Sequence, residues 1–224
     1  MNQNKLLKKL GFLLVMLIFT TGSVFAQTYV SVTNGDDLTG DGSMLNPYKT
    51  IATGITNTSA GGTVVIEPGD YAVAVTITKA LTLKAEDFGG TLAPSVTITN
   101  LTLNMTTGTD VLSFGETGLP FNVDDITLTD GVMNIATANV NVSTGSTITR
   151  TDGSLNVNPT TTNVFVVYNG AASITAGGEL PSDLGTGNLT VNIGAANTLT
   201  VGSAVTTDGA TITTGDVDFT DLTS

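Results

Sequence analysis

The chain has 224 residues, and its 19 acidic residues outnumber 7 basic ones, which gives a formal net charge of −12 at pH 7. This charge argues against nucleic acid and anionic membrane surfaces as partners, and the absence of cysteine excludes stabilisation by disulfide bonds. Thr, Val, Gly and Asn are abundant and Trp is absent, a bias that favours short strands and turns. We therefore predict an all-β protein.

The first 26 residues have the order of a secretory signal peptide. Three lysines precede the apolar run Leu10–Phe19, and small residues follow up to Ala26, after which we expect cleavage. The apolar run is about half the length of roughly 20 residues that a membrane span needs, so we expect no span in the mature chain. Residues 27–224 keep four basic residues against 19 acidic ones, a net charge of −15. The expected location is extracellular or at the cell surface.

The segment NGDDLTGDGS, residues 34–43, brings three carboxylates close together in the sequence: Asp36, Asp37 and Asp41. Carboxylate oxygens are the ligands that calcium prefers. The segment lacks the alternating Asp spacing and terminal Glu of an EF-hand loop, and Asp beside Gly also forms ordinary turns. We interpret the segment as turns, with calcium binding as the alternative.

The next segment, NPYKTIATGI, contains the one helical candidate of the mature chain, Tyr48–Asn57. Ile51 and Ile55 are four residues apart, so both would lie on one face of a short helix. Pro47 would restrict the backbone before it. We predict that the two isoleucines pack on the apolar core of the first strands and close that end of the fold.

The run GGTVVIEPGDY predicts a strand followed by a turn. Val64 and Ile66 would face inward, because alternate strand residues point to the same side. Pro68 and Gly69 indicate the turn, with Gly69 free to take a positive φ, and Tyr71 would begin the next strand. In that strand the expected inward residues are Val73, Val75 and Ile77, and the outward ones Thr76 and Thr78.

A repeat then indicates how such strands are arranged. ITLTDGVMNI begins at Ile126 and ITRTDGSLNV at Ile148, a spacing of 22 residues, and a third TDG follows at Thr207–Gly209. A period of this length is typical of solenoids, in which each repeat would form a coil of three short strands and three turns. We predict a capping segment at residues 27–61 and about seven stacked coils at residues 62–224.

The motifs between Tyr29 and Ala85 occur in an order that resembles the start of secreted right-handed parallel β-helix proteins of the pectate-lyase-like superfamily. They are YVSVTNGDDLTGDGS, NPYKTIATGI, GGTVVIEPGDY and ITKALTLKA. The later repeats look like those of large bacterial surface proteins. The resemblance implies a right-handed parallel β-helix, a fold that hosts polysaccharide lyases, glycoside hydrolases and proteins without catalysis.

Enzymes of that superfamily that eliminate uronates use calcium with clustered Arg or Lys. The basic residues after the capping segment are Lys79, Lys84 and Arg150, and they are not clustered in the sequence. Arg150 replaces Leu128 of the previous repeat, and we interpret it as an isolated outward residue. The acidic surface would also repel a polyanionic substrate.

A glycoside hydrolase needs two carboxyl groups that flank the scissile bond. Asp124 and Asp125 are the best adjacent pair, but neighbouring strand residues point to opposite faces, so we interpret them as a turn before ITLT. Glu86 and Asp87 are interpreted as another turn, before the glycines at 89 and 90. We therefore predict no catalytic residue, no metal ligand and no cofactor-binding residue.

Two further surface patterns are weak. Thr-x-Thr triplets begin at Thr76, Thr97, Thr127, Thr147, Thr198 and Thr211. The intervals between these triplets along the sequence are too uneven to build a regular ice-binding array. Carbohydrate binding usually uses exposed aromatic rings. Several of the aromatic residues, such as Phe121 and Phe165, could face inward, so the sequence indicates no stacking platform.

From the sequence we expect a secreted or cell-surface β-helix with a structural or adhesive role and no catalytic site of its own. Its expected partners are extracellular polysaccharides or other surface proteins. The alternative is the N-terminal part of a carbohydrate-active enzyme, a polysaccharide lyase or a glycoside hydrolase, that acts on extracellular glycans.

Overall fold

The computed structural model describes residues 27–87, 95–115, 119–135, 139–156, 159–161 and 163–218. Within these ranges the chain forms one helix, α1 (Ile51–Asn57), and short strands that stack in parallel as a β-solenoid of about 6 turns. The predicted all-β parallel solenoid is confirmed. The sequence suggested about seven coils, and the count is lower because some coils are long. The paired residues Leu81 and Leu112, for example, are 31 positions apart.

The solenoid has three faces, which we name in chain order. The first face carries β1 (Gln27–Val30), β2 (Thr63–Ile66), β5 (Leu81–Ala85), β7 (Val111–Gly115), β9 (Val132–Asn134) and β12 (Ser154–Leu155). The second face carries β3 (Gly69–Tyr71), the first parts of β6 (Val96–Asn104) and β8 (Phe121–Asp130), β10 (Val140–Val142) and β13 (Thr160–Thr161).

The third face carries β4 (Val75–Ile77), the second parts of β6 and β8, β11 (Thr147–Arg150), β14 (Phe165–Asn169), β16 (Asn188–Asn192) and β18 (Gly209–Thr214). A separate sheet contains β15 (Ile174–Thr175), β17 (Thr198–Thr200) and β19 (Asp216–Asp218). Its strands follow third-face strands along the chain, which is the place that first-face strands have in earlier coils.

The 22-residue repeat is a true structural repeat. Ile148 pairs with Ile126 on the third face, and Ser154 pairs with Val132 on the first face, so both pairs keep the 22-residue offset. The third TDG, Thr207–Gly209, is different, because it precedes a third-face strand, whereas the other two copies follow one. It is therefore not a further copy of this corner.

The interior is filled with apolar side chains that follow the predicted alternation in most strands. Val64, Ile66, Val75 and Ile77 are buried in one continuous core. The prediction for Val73 was wrong: its side chain is 62% exposed. It lies between β3 and β4, where the chain turns a corner and the strand alternation is interrupted.

The structure also corrects two details of the predicted turn after β2. Gly69 is the first residue of β3, and its φ is not in the positive range. An added Cβ at Gly69 would lie 2.6 Å from Val32 Cγ1, so close packing explains this glycine. Tyr71 ends β3 and does not begin the next strand.

Helix α1 lies at the start of the solenoid, within the predicted range. The Oγ1 of Thr50 accepts a hydrogen bond from Thr53 N, and Ile51 and Ile55 are buried in the core of the first coil, as predicted. The helix begins later than predicted because Tyr48 continues the first face: its N–H donates to Tyr29 O at 3.0 Å and its carbonyl accepts from Ser31 N at 2.8 Å. Within the described ranges, no helix is long and apolar enough to cross a membrane.

Candidate functional site

The three carboxylates of the first loop do not form a cluster. The Oδ1 of Asp36 accepts from the N–H of Leu38 at 2.7 Å, and the Oδ1 of Asp41 accepts from the N–H of Ser43 at 2.9 Å. The Oδ1 of Asp37 accepts from the N–H groups of residues 49 and 50, 2.8 and 3.0 Å away. Among the described residues, no three acidic side chains lie together as metal ligands. Asp36 and Asp41 each close a local turn, as interpreted from the sequence, whereas Asp37 connects the loop to the backbone just before α1.

These hydrogen bonds also set the acidity of the loop. Hydrogen bonds from the backbone of Leu38 and Thr39 lower the pKa of Asp36, and those from Ser43 lower the pKa of Asp41. Burial alone would raise the pKa of Asp37, but the hydrogen bonds from Thr50 and its neighbours outweigh it and lower the pKa. All three groups are therefore stabilised as carboxylates by the fold.

Asp124 and Asp125 lie inside the long strand β8, not in a turn before it. They occupy the corner where β8 changes partner from β10 to β11. The Oδ1 of Asp124 accepts from Ser143 Oγ at 2.8 Å, and the Oδ1 of Asp125 accepts from Thr147 N at 2.7 Å. Each carboxylate thus connects its coil to the next coil, and the pair does not flank a groove in the way that glycoside hydrolysis requires.

The lysines near the start of the solenoid are engaged locally. Lys84 Nζ lies 2.6 Å from Glu86 Oε2, and Lys79 Nζ donates to Thr56 O of α1 at 3.4 Å. The glycines at positions 89 and 90, which the predicted turn after Glu86 involved, lie outside the described residues. The arrangement holds no cluster of basic groups comparable to a uronate-binding site in the described part of the chain.

Arg150 is the clearest correction to the sequence interpretation. It pairs with Leu128, as the repeat predicted, but Leu128 is an inward residue and Arg150 occupies the same inward position. Its Nη1 donates to Glu179 Oε1 at 2.5 Å and to Thr175 O at 2.8 Å. The side chains of Arg150 and Glu179 are 12% and 0% exposed. Arg150 is therefore neither outward nor isolated.

Sequence reasoning missed Glu179 altogether. Its Oε1 also accepts from Tyr168 OH at 3.0 Å and from Gly177 N at 2.8 Å. Burial, and then the Glu179 carboxylate, raise the pKa of Tyr168. Glu179 could have been inferred from the change from Leu128 to Arg150 at an inward repeat position, because a buried guanidinium requires a buried acid.

The Arg150–Glu179–Tyr168 cluster has two buried atoms without a hydrogen-bond partner among the described residues, Arg150 Nε and Glu179 Oε2. The cluster is enclosed in the solenoid interior, so a polymeric substrate on the surface would not contact it. We interpret it as a structural connection between β11 and the segment after β15.

A second buried acid, Glu67, was included in the predicted turn after β2. Ser31 Oγ donates to Glu67 Oε2, and both residues are buried. Tyr71 OH donates to Glu67 O at 2.8 Å and accepts from Val32 N at 3.2 Å. Burial raises the pKa of Tyr71, and these bonds connect the first loop to the turn between β2 and β3.

A small pocket of about 260 Å³ lies between the start of α1 and the corner that joins β3 to β4. Its walls are mostly apolar, with Ile51, Val73 and Val75 among them, and Lys49 and Asp70 are its charged residues. The pocket has no pair of groups arranged for acid–base chemistry. It is smaller than typical pockets for drug-sized ligands, which begin at about 300 Å³.

The third face carries a regular row of outward side chains that the spacing of threonines in the sequence does not indicate. Seven stacked strands pair so that one outward position forms a single row: Thr76, Thr102, Thr127, Thr149, Val167, Thr190 and Thr211. Coils of unequal length keep these residues in register, because the extra residues lie in the connections between strands. The prediction that the threonines are too unevenly spaced for an array was therefore wrong for this face. We name these seven residues the threonine row.

The neighbours of the threonine row are less regular. The preceding outward position of the same strands holds Asn100, Asp125, Thr147, Phe165 and Asn188. Phe165 is 37% exposed, so the inward orientation that the sequence suggested is wrong for this residue. Phe121 is buried as suggested, and its ring packs edge-on against Phe114 with the ring centroids 5.0 Å apart.

Outward amides form hydrogen-bonded ladders on the other faces and beside the threonine row. Asn141 Nδ2 donates to Asn122 Oδ1 at 3.0 Å on the second face, and Asn156 Nδ2 donates to Asn134 Oδ1 at 2.6 Å on the first. On the third face Asn192 Nδ2 donates to Asn169 Oδ1 at 3.1 Å. The ladders connect neighbouring coils at the surface without using charge.

Comparison with protein-family models, curated proteins and solved structures gives no match to this chain. The arguments for function therefore come from the residues and their geometry.

Proposed function

We propose that the protein is a secreted β-solenoid with a structural or adhesive role at or beyond the cell surface, and that its contact surface is the threonine row. The observation that carries the proposal is the register of seven third-face strands, which aligns six threonines and one valine. At about 4.8 Å per strand, the row is about 29 Å long.

The chemistry of the row suits repeated weak contacts. Each threonine offers a hydroxyl that donates and accepts one hydrogen bond, together with a methyl group. A polysaccharide presents hydroxyls and apolar C–H groups at regular intervals, so a straight uncharged row can contact several sugar units at once. Because the strands hold the side chains in place, little conformational freedom is lost on binding.

A carbohydrate-active enzyme is the alternative, and the positions of the candidate residues favour it less. Arg150 is inside the solenoid and bound to Glu179, and Asp125 is bound to the backbone of the next coil. Arg150 therefore does not face a substrate on the surface, and Asp125, although outward, already has one carboxylate oxygen engaged. An adhesive role requires only the outward side chains of the third face.

The test of binding against catalysis is incubation of the purified chain with pectate, alginate and neutral glycans, with and without calcium. We expect retention on the polymer without any release of reducing ends or unsaturated products. Turnover that Arg150→Ala or Asp125→Ala abolishes, in variants that keep the wild-type circular dichroism spectrum, would establish the enzymatic alternative.

Secretion and kinship with the pectate-lyase-like superfamily belong to the same proposal. They are supported by the basic, apolar and small residues of positions 1–26 and by the motif order from Tyr29 to Ala85. N-terminal sequencing of exported protein should read Gln27, Thr28 and Tyr29. An exported form that retains Met1 would contradict the predicted cleavage.

The threonine row also favours a second candidate, binding to ice, because a flat row of hydroxyls and methyls can order water. The irregular neighbouring position, which includes Asp125 and Phe165, makes this the weaker candidate. Measurement of thermal hysteresis distinguishes the two. We expect no thermal hysteresis. A difference between the melting and freezing temperatures that Thr127→Lys removes would favour ice over polysaccharide as the ligand.

A further inference from the structure

Phe165 is the most exposed aromatic residue among those that the structure describes. Its ring lies on the outward side of β14, because its neighbours along the strand, Val164 and Val166, are buried in the core. The larger aromatic rings elsewhere in the solenoid, such as Phe121 and Tyr168, are buried. An aromatic ring at the surface leaves apolar area in contact with water, so a ligand that covers the ring gains hydrophobic stabilisation.

Two adjacent outward columns of the third face become apolar in the same strand. The threonine row has its one valine at Val167, two residues after Phe165. In the strands on either side of β14, the column of Phe165 holds Asn100, Asp125, Thr147, Asn188 and Gly209. Phe165 and Val167 therefore form an apolar step, about 7 Å long in the strand direction, within two otherwise polar columns.

The side chains that border the apolar step offer unused hydrogen-bonding groups. Thr147 and Thr149 lie on one side of the step and Asn188 and Thr190 on the other, one strand away or about 4.8 Å. Within the described part of the chain, these four side chains form no hydrogen bonds. The outward amides of the ladders, by contrast, bond to one another. The hydroxyls and the amide around the step are thus available to a ligand.

Gly209 leaves the amide of Asn188 uncovered. The two residues pair across β16 and β18, and the φ of Gly209 is not in the positive range. An added Cβ at Gly209 would lie 3.0 Å from Asn188 Oδ1. A glycine inside a strand weakens it and often marks a place that a ligand approaches closely. Access to Asn188 gives this glycine a function.

The apolar step and its four polar neighbours contain no charged residue. The nearby Arg150 is turned inward and bound to Glu179, so it does not supply a countercharge at the surface. A uronate or a sulfated sugar would meet no cation here, and the net charge of −15 on residues 27–224 would repel it. A neutral sugar matches the surface: the C–H groups on one face of its ring cover the apolar step, and its hydroxyls bond to the surrounding side chains.

We propose that Phe165 and Val167 are the stacking platform of a subsite for one sugar ring of a neutral β-1,4-linked glucan. The ring hydroxyls of such a glucan are equatorial, so both faces of each ring are formed by C–H groups. Its chain is extended, so rings next to the stacked one would follow the threonine row. The inference therefore rests on the proposed function, and it names the class of sugar and the place where one ring is held.

The experiment compares the retention of purified variants on insoluble cellulose. We expect Phe165→Ala to weaken retention about fivefold or more, because the stacking contact and its buried area are lost. Phe165→Leu should weaken it as well, since leucine is apolar but lacks a flat face, whereas Phe165→Tyr should stay within about twofold of the wild type. Val73→Ala is the matched control, because Val73 is an exposed apolar residue outside the third-face strands. Circular dichroism and urea unfolding check that each variant folds.

Thr102→Lys separates this inference from the proposed function. Thr102 belongs to the threonine row but lies three strands from Val167, about 14 Å away. If Thr102→Lys weakens retention and Phe165→Ala does not, the platform is wrong and the row stands. If only Phe165→Ala weakens retention, the platform stands and the row is not the extended contact surface. A wild-type chain that cellulose does not retain contradicts both.

Soluble sugars test the chemistry of the ligand. Cellohexaose should release the chain from cellulose, and the hexasaccharide of galacturonic acid should not, because the platform has no cation for its carboxylates. Equal competition by the two sugars would overturn the assignment to a neutral glycan. Retention of Phe165→Leu at the wild-type level would overturn stacking on the aromatic ring.

Discussion

The guanidinium of Arg150 and the carboxylate of Glu179 are in contact inside the solenoid, with Nη1 and Oε1 2.5 Å apart, although 29 residues separate them in the chain. The preceding coil has Leu128 at the position of Arg150. One coil therefore replaces an apolar contact by an ion pair, and this pair connects β11 to the segment after β15. The pair is buried, so each charge depends on the other for its compensation.

We predict that Arg150→Leu alone lowers the free energy of unfolding by about 3 to 5 kcal/mol, because Glu179 remains buried without its countercharge. The double variant Arg150→Leu with Glu179→Gln should recover most of this loss. The introduced glutamine amide has no charge, and its oxygen still accepts hydrogen bonds from Tyr168 OH and Gly177 N. Urea unfolding of the wild type and the variants measures the effect. A double variant no more stable than Arg150→Leu would contradict this account of the pair.

At Gly54, helix α1 packs too closely on the first coil to leave room for a side chain. An added Cβ would lie 2.4 Å from Val30 Cγ2, so Gly54→Ala should destabilise the fold by about 1 to 3 kcal/mol despite the higher helix propensity of alanine. Gly202→Ala is the control: an added Cβ there has no neighbour within 4 Å, and its effect should stay within about 0.5 kcal/mol. Thermal and urea unfolding give both values.

A double-variant cycle with Val30→Ala identifies the contact responsible. Removing the Val30 methyls should make Gly54→Ala less costly than it is in the wild type. If Gly54→Ala costs the same in the wild type and in the Val30→Ala background, the helix is not held by this contact.

Because Tyr71 and Tyr168 are buried, we predict a loss of stability at alkaline pH. Burial raises the pKa of both phenols above the ordinary value of 10.0, so the unfolded chain ionises first. Their contribution to stability is complete below pH 10 and is lost progressively as the pH rises further. Urea unfolding between about pH 9 and 11 measures this decline.

The variant Tyr71→Phe separates the ionisation from the hydrogen bonds. It should lower stability at pH 8 by about 1 kcal/mol, because the bonds to Glu67 O and Val32 N are lost. Its decline above pH 10 should be shallower than that of the wild type, since one ionising group has been removed. An equally steep decline would show that Tyr71 does not contribute to the alkaline transition.

Local patterns were enough to predict the solenoid, but not the relations between its coils. The alternation at Val64 and Ile66 and the repeat at Ile126 and Ile148 gave the inward residues and the 22-residue register, since both depend on strand geometry alone. The threonine row could not be predicted, because its register depends on connections of different lengths. The position of Thr102 beside Thr127, for instance, follows only once the coils are stacked.

Two residues of the sequence interpretation, Arg150 and Gly69, were wrongly assigned for the same reason. Arg150, at the repeat position of Leu128, is interpreted from the sequence as an isolated outward residue. Its partner Glu179 lies in a segment without strand periodicity, so nothing in the sequence indicates the buried ion pair. Gly69 was assigned to a positive φ because glycine beside proline usually marks a turn. Its actual constraint is the side chain of Val32, a contact between two coils that sequence spacing does not encode.

The most direct test of the proposed function compares two double variants in their retention on an insoluble neutral polysaccharide such as cellulose. Thr127→Lys with Thr149→Lys places two charges in the middle of the threonine row. Thr82→Lys with Thr97→Lys places the same charges at half-buried outward threonines of the first and second faces. We predict at least tenfold weaker retention for the first pair and retention close to wild type for the second. Equal retention of the two pairs, or no retention of the wild type on any polysaccharide tested, would contradict a contact surface on the third face.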